Sequence, residues 1–458
     1  MIKYETDSRK VKPGQTFVAI KGYTVDGHDY AEAAVKNGAS EIIAEKELNL
    51  GVPVTVVDDS AKYFQELLVK EYKDNFNNLK ILGITGTNGK TTSAYLAYQA
   101  LNNLGKKAAY IGTLGFMCDD YSEELPNTSP EILTIYKLLM KAIEYNCEYV
   151  VMEISSHALD LRRIEGIRFE GCAFTNLTED HLDYHKTMEN YLNCKLMITD
   201  YLKNDGVMVV NKDDEASTNF INKYHNTKTF GIGDADYDIK EFDIHPDHTF
   251  IKFKVYDKEY EVTTNLTSKF NVYNYMTMFS LLHEVQIDGD DLVKVTKELK
   301  APKGRCETYK VKDGFAVVDY AHTPDAVLKV VTAYKELAKA RVITLVGCGG
   351  DRDPLKRPIM GNIASEYSDY VIFTNDNPRT EDPENIMKDI VAGVDKDNYE
   401  ICLDRREAIK KALDMIQKDD IVLLLGKGHE DYQILGHTKV HLDDSEEILK
   451  YIDSLKEV

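Results

Sequence analysis

One segment, residues 80–105, restricts the possible folds of this chain more than any other. An apolar run at 80–84 predicts a buried strand, and from it extends the sequence Gly83-Ile84-Thr85-Gly86-Thr87-Asn88-Gly89-Lys90-Thr91-Thr92. A helix is predicted over 92–104, because its apolar residues share one face and Gly105 supplies a C-terminal stop. A strand, a glycine loop and a helix in this order are typical of a parallel α/β sheet.

The glycine-rich loop is predicted to bind ATP, because glycines let backbone N–H groups curl around phosphate at the positive end of a helix dipole. The predicted contacts are Gly86, Thr87, Asn88, Gly89, Lys90, Thr91 and Thr92. Lys90 is expected to reach the β- and γ-phosphates as a catalytic residue, and the Thr91 hydroxyl to bind Mg²⁺. The spacing differs from the common phosphate loop, since Ile84 stands five residues before Gly89. The alternative is a glycine-rich turn with a surface lysine, which the flanking strand and helix disfavour.

Strand and helix patterns alternate along most of the chain and predict three α/β domains. These are a small α/β domain over 1–76, a central domain with the glycine-rich loop over 77–301 and a doubly wound, Rossmann-like domain over 302–458. A polar stretch at 72–78 is interpreted as a linker, and 229–265 as a β-rich edge. Ser129, Pro130 and Glu131 are predicted to be the N-cap, first residue and first-turn acid of a helix.

The charge balance and the cysteines exclude several kinds of partner. Lys and Arg number 56 against 77 Asp and Glu, so the net charge is −21. Nucleic acid and anionic membranes need a basic surface, and neither is expected as a partner. The seven cysteines are scattered and odd in number, as in a reduced protein, and the first residues hold no apolar signal-peptide core. A cytoplasmic protein is therefore expected.

An acid and a histidine are predicted to lie near the phosphate loop. Glu153 ends an apolar strand, and the run Phe174-Thr175-Asn176-Leu177-Thr178-Glu179-Asp180-His181 follows further along the chain. The carboxyl ends of parallel strands form the crevice where such sheets bind ligands, and hard oxygen ligands suit Mg²⁺. The alternative is an ordinary strand-end acid and a loop histidine.

The shortened phosphate loop and these runs resemble the Mur ligases and their relative folylpolyglutamate synthetase. The resemblance implies an ATP-dependent ligase that activates a carboxylate as an acyl phosphate before an amine attacks it. It also implies that Glu153 and His181 bind Mg²⁺ and act in catalysis. Lys195, in Tyr191-Leu192-Asn193-Cys194-Lys195, would carry a CO₂-derived carbamate and serve as a further metal ligand. Without the resemblance, Lys195 is only a lysine on a helix.

The resemblance is nearest to the Mur ligases that add a diamino acid to UDP-N-acetylmuramoyl-L-Ala-D-Glu. Asp7-Ser8-Arg9-Lys10-Val11-Lys12-Pro13-Gly14 is similar to their UDP-binding segment. The positions that would hold the nucleotide-linked peptide are Ser8, Thr128, Ser129, Ser155 and Arg163. Helix capping is the alternative for Thr128 and Ser129, and both roles are compatible. Further ATP contacts implied by the resemblance are Asn271, Asn274, Arg305 and Asp319.

The third domain carries the residues that would select the amino acid. Three runs, Gly349-Gly350-Asp351-Arg352-Asp353, Asp376-Asn377-Pro378-Arg379 and Gly426-Lys427-Gly428-His429-Glu430, each follow a predicted buried strand. The expected amino-acid contacts are Arg352, Asp376, Asn377, Arg379, Gly426 and Glu430. Arginines suit a carboxylate, and acids suit an ammonium group. The Arg379 form of the run implies meso-2,6-diaminopimelate.

Other functions stay open at this point. They are a ligase of the same type for L-lysine or another diamino acid, a folylpolyglutamate synthetase, and a non-catalytic phosphate-loop binding protein. Glu153, His181 and Lys195 together distinguish a ligase from a mere nucleotide binder, which needs no second metal site. A monomer is expected.

Overall fold

The computed structural model describes residues 2–22 and 25–456. The chain forms two compact units, one of Met1–Lys228 with Leu281–Gln286 and the other of Thr229–Ser280 with Ile287–Val458. The division between the units falls inside the predicted central domain. The three domain boundaries given above stay a prediction.

The first unit contains a small parallel sheet and the strands of a larger, mixed sheet, with covering helices. Its strands are β1 (Tyr4–Glu5), β2 (Thr16–Val18), β3 (Glu41–Ala44), β4 (Val54–Val56), β5 (Lys80–Thr85), β6 (Ala108–Gly112), β7 (Gly115–Cys118), β8 (Tyr121–Glu123), β9 (Tyr149–Glu153), β10 (Phe169–Phe174) and β11 (Leu202–Asn211). Its helices are α1 (Ala31–Lys36), α2 (Ser60–Tyr72), α3 (Lys90–Asn103), α4 (Ile132–Glu144), α5 (Ser156–Asp160), α6 (Leu182–His185), α7 (Met188–Leu196) and α8 (Ser217–Lys223). The small sheet has the order β1-β2-β3-β4, and the strands that the first unit contributes to the larger sheet have the order β11-β10-β5-β9-β6-β7-β8.

In the larger sheet β5 lies at the centre, with β10 and β9 parallel on its two sides. Its apolar residues are buried because helices cover both faces, as in other parallel sheets. The strand, loop and helix predicted over 80–104 are confirmed, with α3 starting two residues earlier than predicted. Gly105, with φ of 72°, follows the helix as expected.

The second unit contains a β-rich part and a doubly wound part. Its strands are β12 (Thr227–Ile232), β13 (Tyr237–Ile244), β14 (Thr249–Val255), β15 (Lys258–Thr264), β16 (Glu307–Val311), β17 (Gly314–Asp319), β18 (Val342–Val346), β19 (Tyr370–Phe373), β20 (Tyr399–Ile401), β21 (Ile421–Leu425), β22 (Tyr432–Leu435) and β23 (Thr438–His441). Its helices are α9 (Lys269–Glu284), α10 (Gly289–Val295), α11 (Pro324–Leu337), α12 (Lys356–Tyr367), α13 (Pro383–Val391), α14 (Arg405–Asp414) and α15 (Asp444–Lys456), although the end of α9 belongs to the first unit.

Both predicted parts of the second unit are confirmed. β13, β14 and β15 form the antiparallel edge predicted at 229–265. The doubly wound sheet has the order β16-β17-β21-β18-β19-β20, and the five strands after β16 are parallel. The ends of β17, β18, β19 and β21 therefore meet at one edge, where such sheets bind ligands.

Two local predictions need correction. Residues 72–78 connect α2 to β5 as predicted, but the segment is ordered, because α2 ends at Tyr72 and a 3₁₀ turn over Lys73–Phe76 follows. The buried ring of Phe76 packs edge-on against Tyr136 at 5.1 Å, which fixes this segment on the sheet domain. Ser129 is not the N-cap of α4, since that helix begins at Ile132 with Glu131 as its N-cap.

All seven cysteines are free and buried. Within residues 2–22 and 25–456, no helix combines the length and the apolar character needed to cross a bilayer.

Candidate active site

The glycine-rich loop joins β5 to α3 and closes around its own lysine. Gly86 and Gly89 have φ values of 145° and 86°, which L side chains rarely adopt. Nζ of Lys90 donates hydrogen bonds to the carbonyl oxygens of Gly86 and Thr87, both at 2.8 Å. Because α3 begins at Lys90, the positive end of its dipole lies at the loop. The loop therefore has the form of an anion-binding site.

Two residues after β10 support the loop, although the sequence analysis gave them no role. Oγ1 of Thr175 donates to the carbonyl of Asn88 at 2.6 Å, and Oδ1 of Asn176 accepts from the N–H of Asn88 at 2.9 Å. A Cβ atom on Gly86 would lie 1.9 Å from Oγ1 of Thr175, so only glycine fits there. The neighbouring strand thus fixes the shape of the loop.

Glu153, the last residue of β9, is fully buried beside the loop. Its Oε2 accepts a hydrogen bond from Oγ1 of Thr91 at 2.8 Å. Its Oε1 accepts from the N–H of Thr113 at 2.8 Å and from the hydroxyl of Tyr110. A buried carboxylate is costly unless its charge is balanced, and each of these described partners is a hydroxyl or an N–H. A cation next to Thr91 would supply the balance.

The oxygen atoms of Thr91 and Glu153 fit a Mg²⁺ ion that is bound partly by phosphate, rather than a metal ion whose ligands all come from the protein. No group of three or more His, Cys, Asp or Glu side chains in the described part of the chain is arranged to hold a metal ion. Mg²⁺ commonly takes only one or two protein carboxylates, with phosphate and water completing its ligands. A hydroxyl and one carboxylate beside a phosphate loop match that requirement.

Lys195, near the end of α7, is buried and lies against the loop. Its Nζ donates to the carbonyl of Gly86 at 2.9 Å and lies 4.3 Å from the ring centre of Tyr191. Burial, and then the nearby charge of Lys90, lower the pKa of Lys195 well below its usual value. The buried amine is therefore favoured in its neutral form, and it shares the Gly86 carbonyl with Lys90.

His181 lies at the edge of this site, with its side chain 49% exposed. It has φ of 54°, and its ring centre lies 5.0 Å from that of His157 and 6.3 Å from that of Tyr191. The Tyr191 hydroxyl lies 3.3 Å from Oγ1 of Thr87. Within the described residues, no recorded contact joins His181 to Glu153, so its metal role stays a prediction.

Four of the residues predicted to hold the nucleotide-linked peptide lie together. Oγ of Ser129 donates to the carbonyl of Glu153 at 2.9 Å and accepts from the N–H of Ser155 at 3.0 Å. These tertiary bonds are the reason that Ser129 does not cap α4. Nη1 of Arg163 donates to the carbonyl of Ser129 at 2.9 Å, and its Nε is buried without a hydrogen-bond partner in the described chain. Oγ1 of Thr128 lies 3.0 Å from Oγ1 of Thr113, which itself contacts Glu153.

Ser8 lies elsewhere in the first unit. It begins a 3₁₀ turn that Asp7 caps, and its carbonyl accepts a hydrogen bond from Asn37 at 2.8 Å. It follows β1 of the small parallel sheet. Its predicted contact with the nucleotide substrate stays a prediction.

The four further ATP contacts predicted from the resemblance lie in the second unit. Asn271 and Asn274 are buried on α9, where Nδ2 of Asn274 donates to Oδ1 of Asn271 at 2.9 Å. Asp319 ends β17 and accepts from the N–H groups of Cys306 and Ala321, each at 2.8 Å. Burial raises the pKa of Asp319. Nε of Arg305 is buried without a hydrogen-bond partner in the described chain, and the guanidinium lies 4.8 Å from the ring centre of Tyr320.

A cavity of about 350 Å³ lies at the strand ends of the doubly wound sheet. All six residues predicted to bind the amino acid line it: Arg352, Asp376, Asn377, Arg379, Gly426 and Glu430. The sequence analysis did not assign four other polar or aromatic lining residues: Tyr320, His322, Lys356 and Tyr432. Tyr320 and His322 follow the predicted ATP contact Asp319, and Lys356 and Tyr432 follow two of the assigned runs, but no pattern in the chain pointed their side chains into the cavity.

The two arginines of the cavity differ in how firmly they are held. Arg379 has φ of 53°, and its Nη1 donates to the carbonyl of Gly350 at 2.8 Å. Its N–H also donates to the carbonyl of Ile434 at 3.0 Å. Arg352 is exposed and has no recorded hydrogen bond or ion pair to the described residues. One arginine held by backbone carbonyls and one that is exposed together suit an anionic group that enters from solvent.

The opposite charge is supplied by two acids of the cavity. Oε2 of Glu430 accepts from Nδ2 of Asn377 at 2.8 Å. Asp376 is buried, and its Oδ1 has no hydrogen-bond partner in the described chain. Burial raises the pKa of Asp376, while the nearby Lys427 opposes that shift. The cavity therefore offers both a cationic and an anionic contact surface to a zwitterionic ligand.

Three domain families match successive parts of the chain. Residues 4–78 match the Mur ligase family, catalytic domain; residues 84–282 match the Mur ligase middle domain; and residues 304–428 match the Mur ligase, glutamate ligase domain. Together the matched segments cover most of the chain.

Two curated relatives are similar over nearly their whole length. The UDP-N-acetylmuramoyl-L-alanyl-D-glutamate--2,6-diaminopimelate ligase of Clostridium botulinum is 39% identical, with 99% of this chain and 95% of the relative covered. The ligase of the same name from Bacillus cereus is 41% identical over 96% of this chain and 92% of the relative.

Solved structures share the fold. A UDP-N-acetylmuramoyl-L-alanyl-D-glutamate--2,6-diaminopimelate ligase has a TM-score of 0.73 at 33% identity, covering 99% of this chain and 95% of its own. The MurF ligase of Thermotoga maritima, solved in complex with ADP, has a TM-score of 0.69 at 20% identity, covering 100% and 98%. The second likeness shows the fold alone.

Proposed function

The chain belongs to the Mur ligase family, and we propose that it is the ATP-dependent ligase that adds meso-2,6-diaminopimelate to UDP-N-acetylmuramoyl-L-alanyl-D-glutamate. It has the three-domain α/β architecture of that family. The observation that carries the choice of amino acid is the cavity that gathers Arg352 and Arg379 with Asp376 and Glu430. The reaction belongs to the synthesis of peptidoglycan precursors.

The chemistry consists of two substitutions. A carboxylate oxygen of D-glutamate attacks the γ-phosphorus of ATP, and ADP leaves. The amine of the incoming amino acid then attacks the acyl carbon, and phosphate leaves with the oxygen that the carboxylate supplied. Lys90 and the start of α3 bind and orient the phosphates in this scheme. The cluster of Thr128, Ser129 and Arg163 would hold the peptide that carries the carboxylate.

Thr91 and Glu153 would hold Mg²⁺, with His181 as a further ligand. The ion would supply charge neutralisation on the transferring phosphoryl group. The buried Glu153 has hydroxyl and N–H partners but no cation among its described contacts, which supports this assignment.

We propose in addition that Lys195 carries a carbamate. A neutral amine adds CO₂ and releases one proton, so a potential cation becomes an anion beside the metal position. The burial of Lys195 and its contact with the loop carbonyl of Gly86 support this assignment. The carbamate would then be a ligand for Mg²⁺.

The choice of amino acid follows from charge at the far end of the substrate. Diaminopimelate differs from lysine by one carboxylate, which needs a cation, and Arg379 is the arginine held in place at the cavity wall. The enzyme is incubated with ATP, the nucleotide-linked dipeptide and each amino acid in turn, and the tripeptide product is measured by mass spectrometry. We expect strong preference for meso-diaminopimelate over L-lysine.

The variant Arg379→Ala distinguishes loss of carboxylate recognition from a general loss of enzyme activity. Removing one partner of a buried charge pair costs roughly 2–5 kcal/mol, so diaminopimelate use should fall by about tenfold to a thousandfold or more. Use of L-lysine, which has no second carboxylate, should fall much less. Arg406→Ala, at an exposed arginine of α14, serves as the control and should leave both rates unchanged. Wild-type enzyme that uses L-lysine as well as meso-diaminopimelate would show that Arg379 does not select the substrate.

A further inference from the structure

Directly behind two acids that line the amino-acid cavity lies a lysine that the proposed function does not yet use. Lys427 follows β21, and its side chain is 0% exposed. Its Nζ lies 3.4 Å from Oε2 of Glu430 and 3.7 Å from Oδ1 of Asp376. It also donates a hydrogen bond to the carbonyl of Tyr432. A fully buried ammonium group is therefore placed between the two acids of the cavity.

The two acids are not equally satisfied. Oε2 of Glu430 has both Lys427 and Nδ2 of Asn377 as partners. Oδ1 of Asp376 is buried, and Lys427 is too distant for a hydrogen bond to it. Buried carboxylate oxygens rarely stay without a donor. One carboxylate position in the cavity is thus left for a donor that the ligand brings.

Charge matching explains why the lysine is present. Two neighbouring carboxylates repel each other, and together they carry one charge more than a single ammonium group can balance. Lys427 cancels one of the two charges, so Lys427, Asp376 and Glu430 together have a net charge of minus one. A second buried pair behind the strand ends, Arg405 with Asp444, is neutral in sum and does not change this count. A net charge of minus one matches a single ammonium group.

We propose that Lys427 is a positioning residue for the amino-acid substrate, which holds Glu430 in place and leaves one unbalanced negative charge for the ammonium group of the substrate. This inference rests on the proposed function. Lys427 does not itself contact the reacting atoms in this account. It acts through Glu430 and Asp376, which receive the ammonium group.

The test compares three variants under steady-state conditions with meso-diaminopimelate. In Lys427→Met the KM for the amino acid should rise by about thirtyfold or more, since a buried charge partner is lost. The KM values for ATP and for the nucleotide-linked dipeptide should stay within about twofold, because the cluster lies in the amino-acid cavity. Lys427→Arg keeps the charge and should recover a large part of the loss.

A double variant separates charge balance from folding. Lys427→Met with Asp376→Asn again has a net charge of minus one, so it should fold as the wild type does and bind the amino acid better than Lys427→Met alone. Lys439→Met is the matched control: its Nζ lies 3.7 Å from the ring centre of Tyr432, the residue whose carbonyl binds Lys427, but Lys439 is exposed. That variant should keep the wild-type KM.

The outcomes distinguish this inference from the proposed function. If the wild type does not ligate meso-diaminopimelate, the proposed function fails. If the wild type does so and Lys427→Met keeps its KM for the amino acid, only the role of Lys427 is refuted. A double variant that folds but binds no better than Lys427→Met would equally refute the charge-matching account.

Discussion

At the scale of single residues, the account depends most on Lys195. A buried lysine is costly as a cation, and its pKa is lowered by burial and by Lys90. A neutral amine is the form that reacts with CO₂, whereas an ordinary surface lysine is protonated at neutral pH. Burial thus gives Lys195 a physical reason to be neutral. Its hydrogen bond to the carbonyl of Gly86 places the amine beside the phosphate-binding loop.

Replacing this lysine tests the carbamate. Lys195→Ala should lower kcat by about a hundredfold or more, as expected when charge stabilisation in a catalytic site is removed. Small carboxylates such as formate should restore part of the rate. With ¹³C-labelled bicarbonate, the wild type should give a carbamate resonance that the variant lacks.

The control for this prediction is Lys223→Ala. The amine of Lys223 donates to the carbonyl of Leu196, next to Lys195 in the chain, but the residue is exposed. This variant should keep both the rate and the resonance. Fully active wild-type enzyme that shows no carbamate resonance would contradict the assignment.

At the scale of elements, a buried ion pair braces the strands that carry the amino-acid cavity. Arg405 of α14 forms two hydrogen bonds to Asp444 of α15, at 2.8 and 2.6 Å, and both side chains are 0% exposed. Arg405 also donates to the carbonyl of Leu425, the last residue of β21, at 3.1 Å. Gly426 and Lys427 follow directly. The pair thus fixes the strand end from which this wall of the cavity is built.

The same two helices provide a matched comparison. Arg405→Met leaves Asp444 buried and unpaired, so the free energy of unfolding of the second unit should fall by about 3–5 kcal/mol. Arg406→Met breaks a surface pair with Glu447 on the same helices, and there the change should be at most about 1 kcal/mol. Denaturant unfolding, followed by a probe in the second unit, measures both.

Equal effects of the two substitutions would contradict this account of α14 and α15. Loss of amino-acid binding in Arg405→Met at a temperature where the variant is folded would show that the brace also positions the cavity.

The elements themselves could largely be predicted from the sequence. Apolar runs bounded by glycines and acids correctly predicted the strands β5, β9, β18 and β21 and the loops after them. In these segments the apolar pattern in the sequence corresponds directly to burial in the sheet. The errors lie where a tertiary contact decides. The polar stretch at 72–78 is ordered by one aromatic ring, Phe76, and Ser129 uses its hydroxyl for Glu153 and Ser155 rather than for its own helix.

The site could be predicted only as far as its motifs reach. The six residues predicted to contact the amino acid could be singled out because each belongs to a run that follows a strand, and they line one cavity. Lys427 lies inside one such run, but its position between two acids is visible only in three dimensions. Tyr110 and Thr113, which hold Glu153, lie in a segment without any motif.

At the scale of the whole molecule, the central claim is that hydrolysis of ATP is coupled to formation of an amide bond. The phosphate loop, Glu153 and Lys195 belong to the first unit, and the cavity with Arg379 and Glu430 belongs to the second. A protein that only binds or hydrolyses nucleotide would not need the cavity with Arg379 and Glu430. Phosphate release should therefore require the nucleotide-linked dipeptide and the amino acid together.

Transfer of an isotope tests this claim most directly. The dipeptide substrate is prepared with ¹⁸O at both oxygens of the reacting carboxylate of D-glutamate, and the phosphate released during ligation is analysed by mass spectrometry. Because that carboxylate attacks the γ-phosphorus, each phosphate should carry one ¹⁸O atom. Lys90→Ala should nearly abolish both the phosphate and the product. Unlabelled phosphate released in step with the tripeptide, or vigorous ATP hydrolysis without either acceptor substrate, would contradict the account.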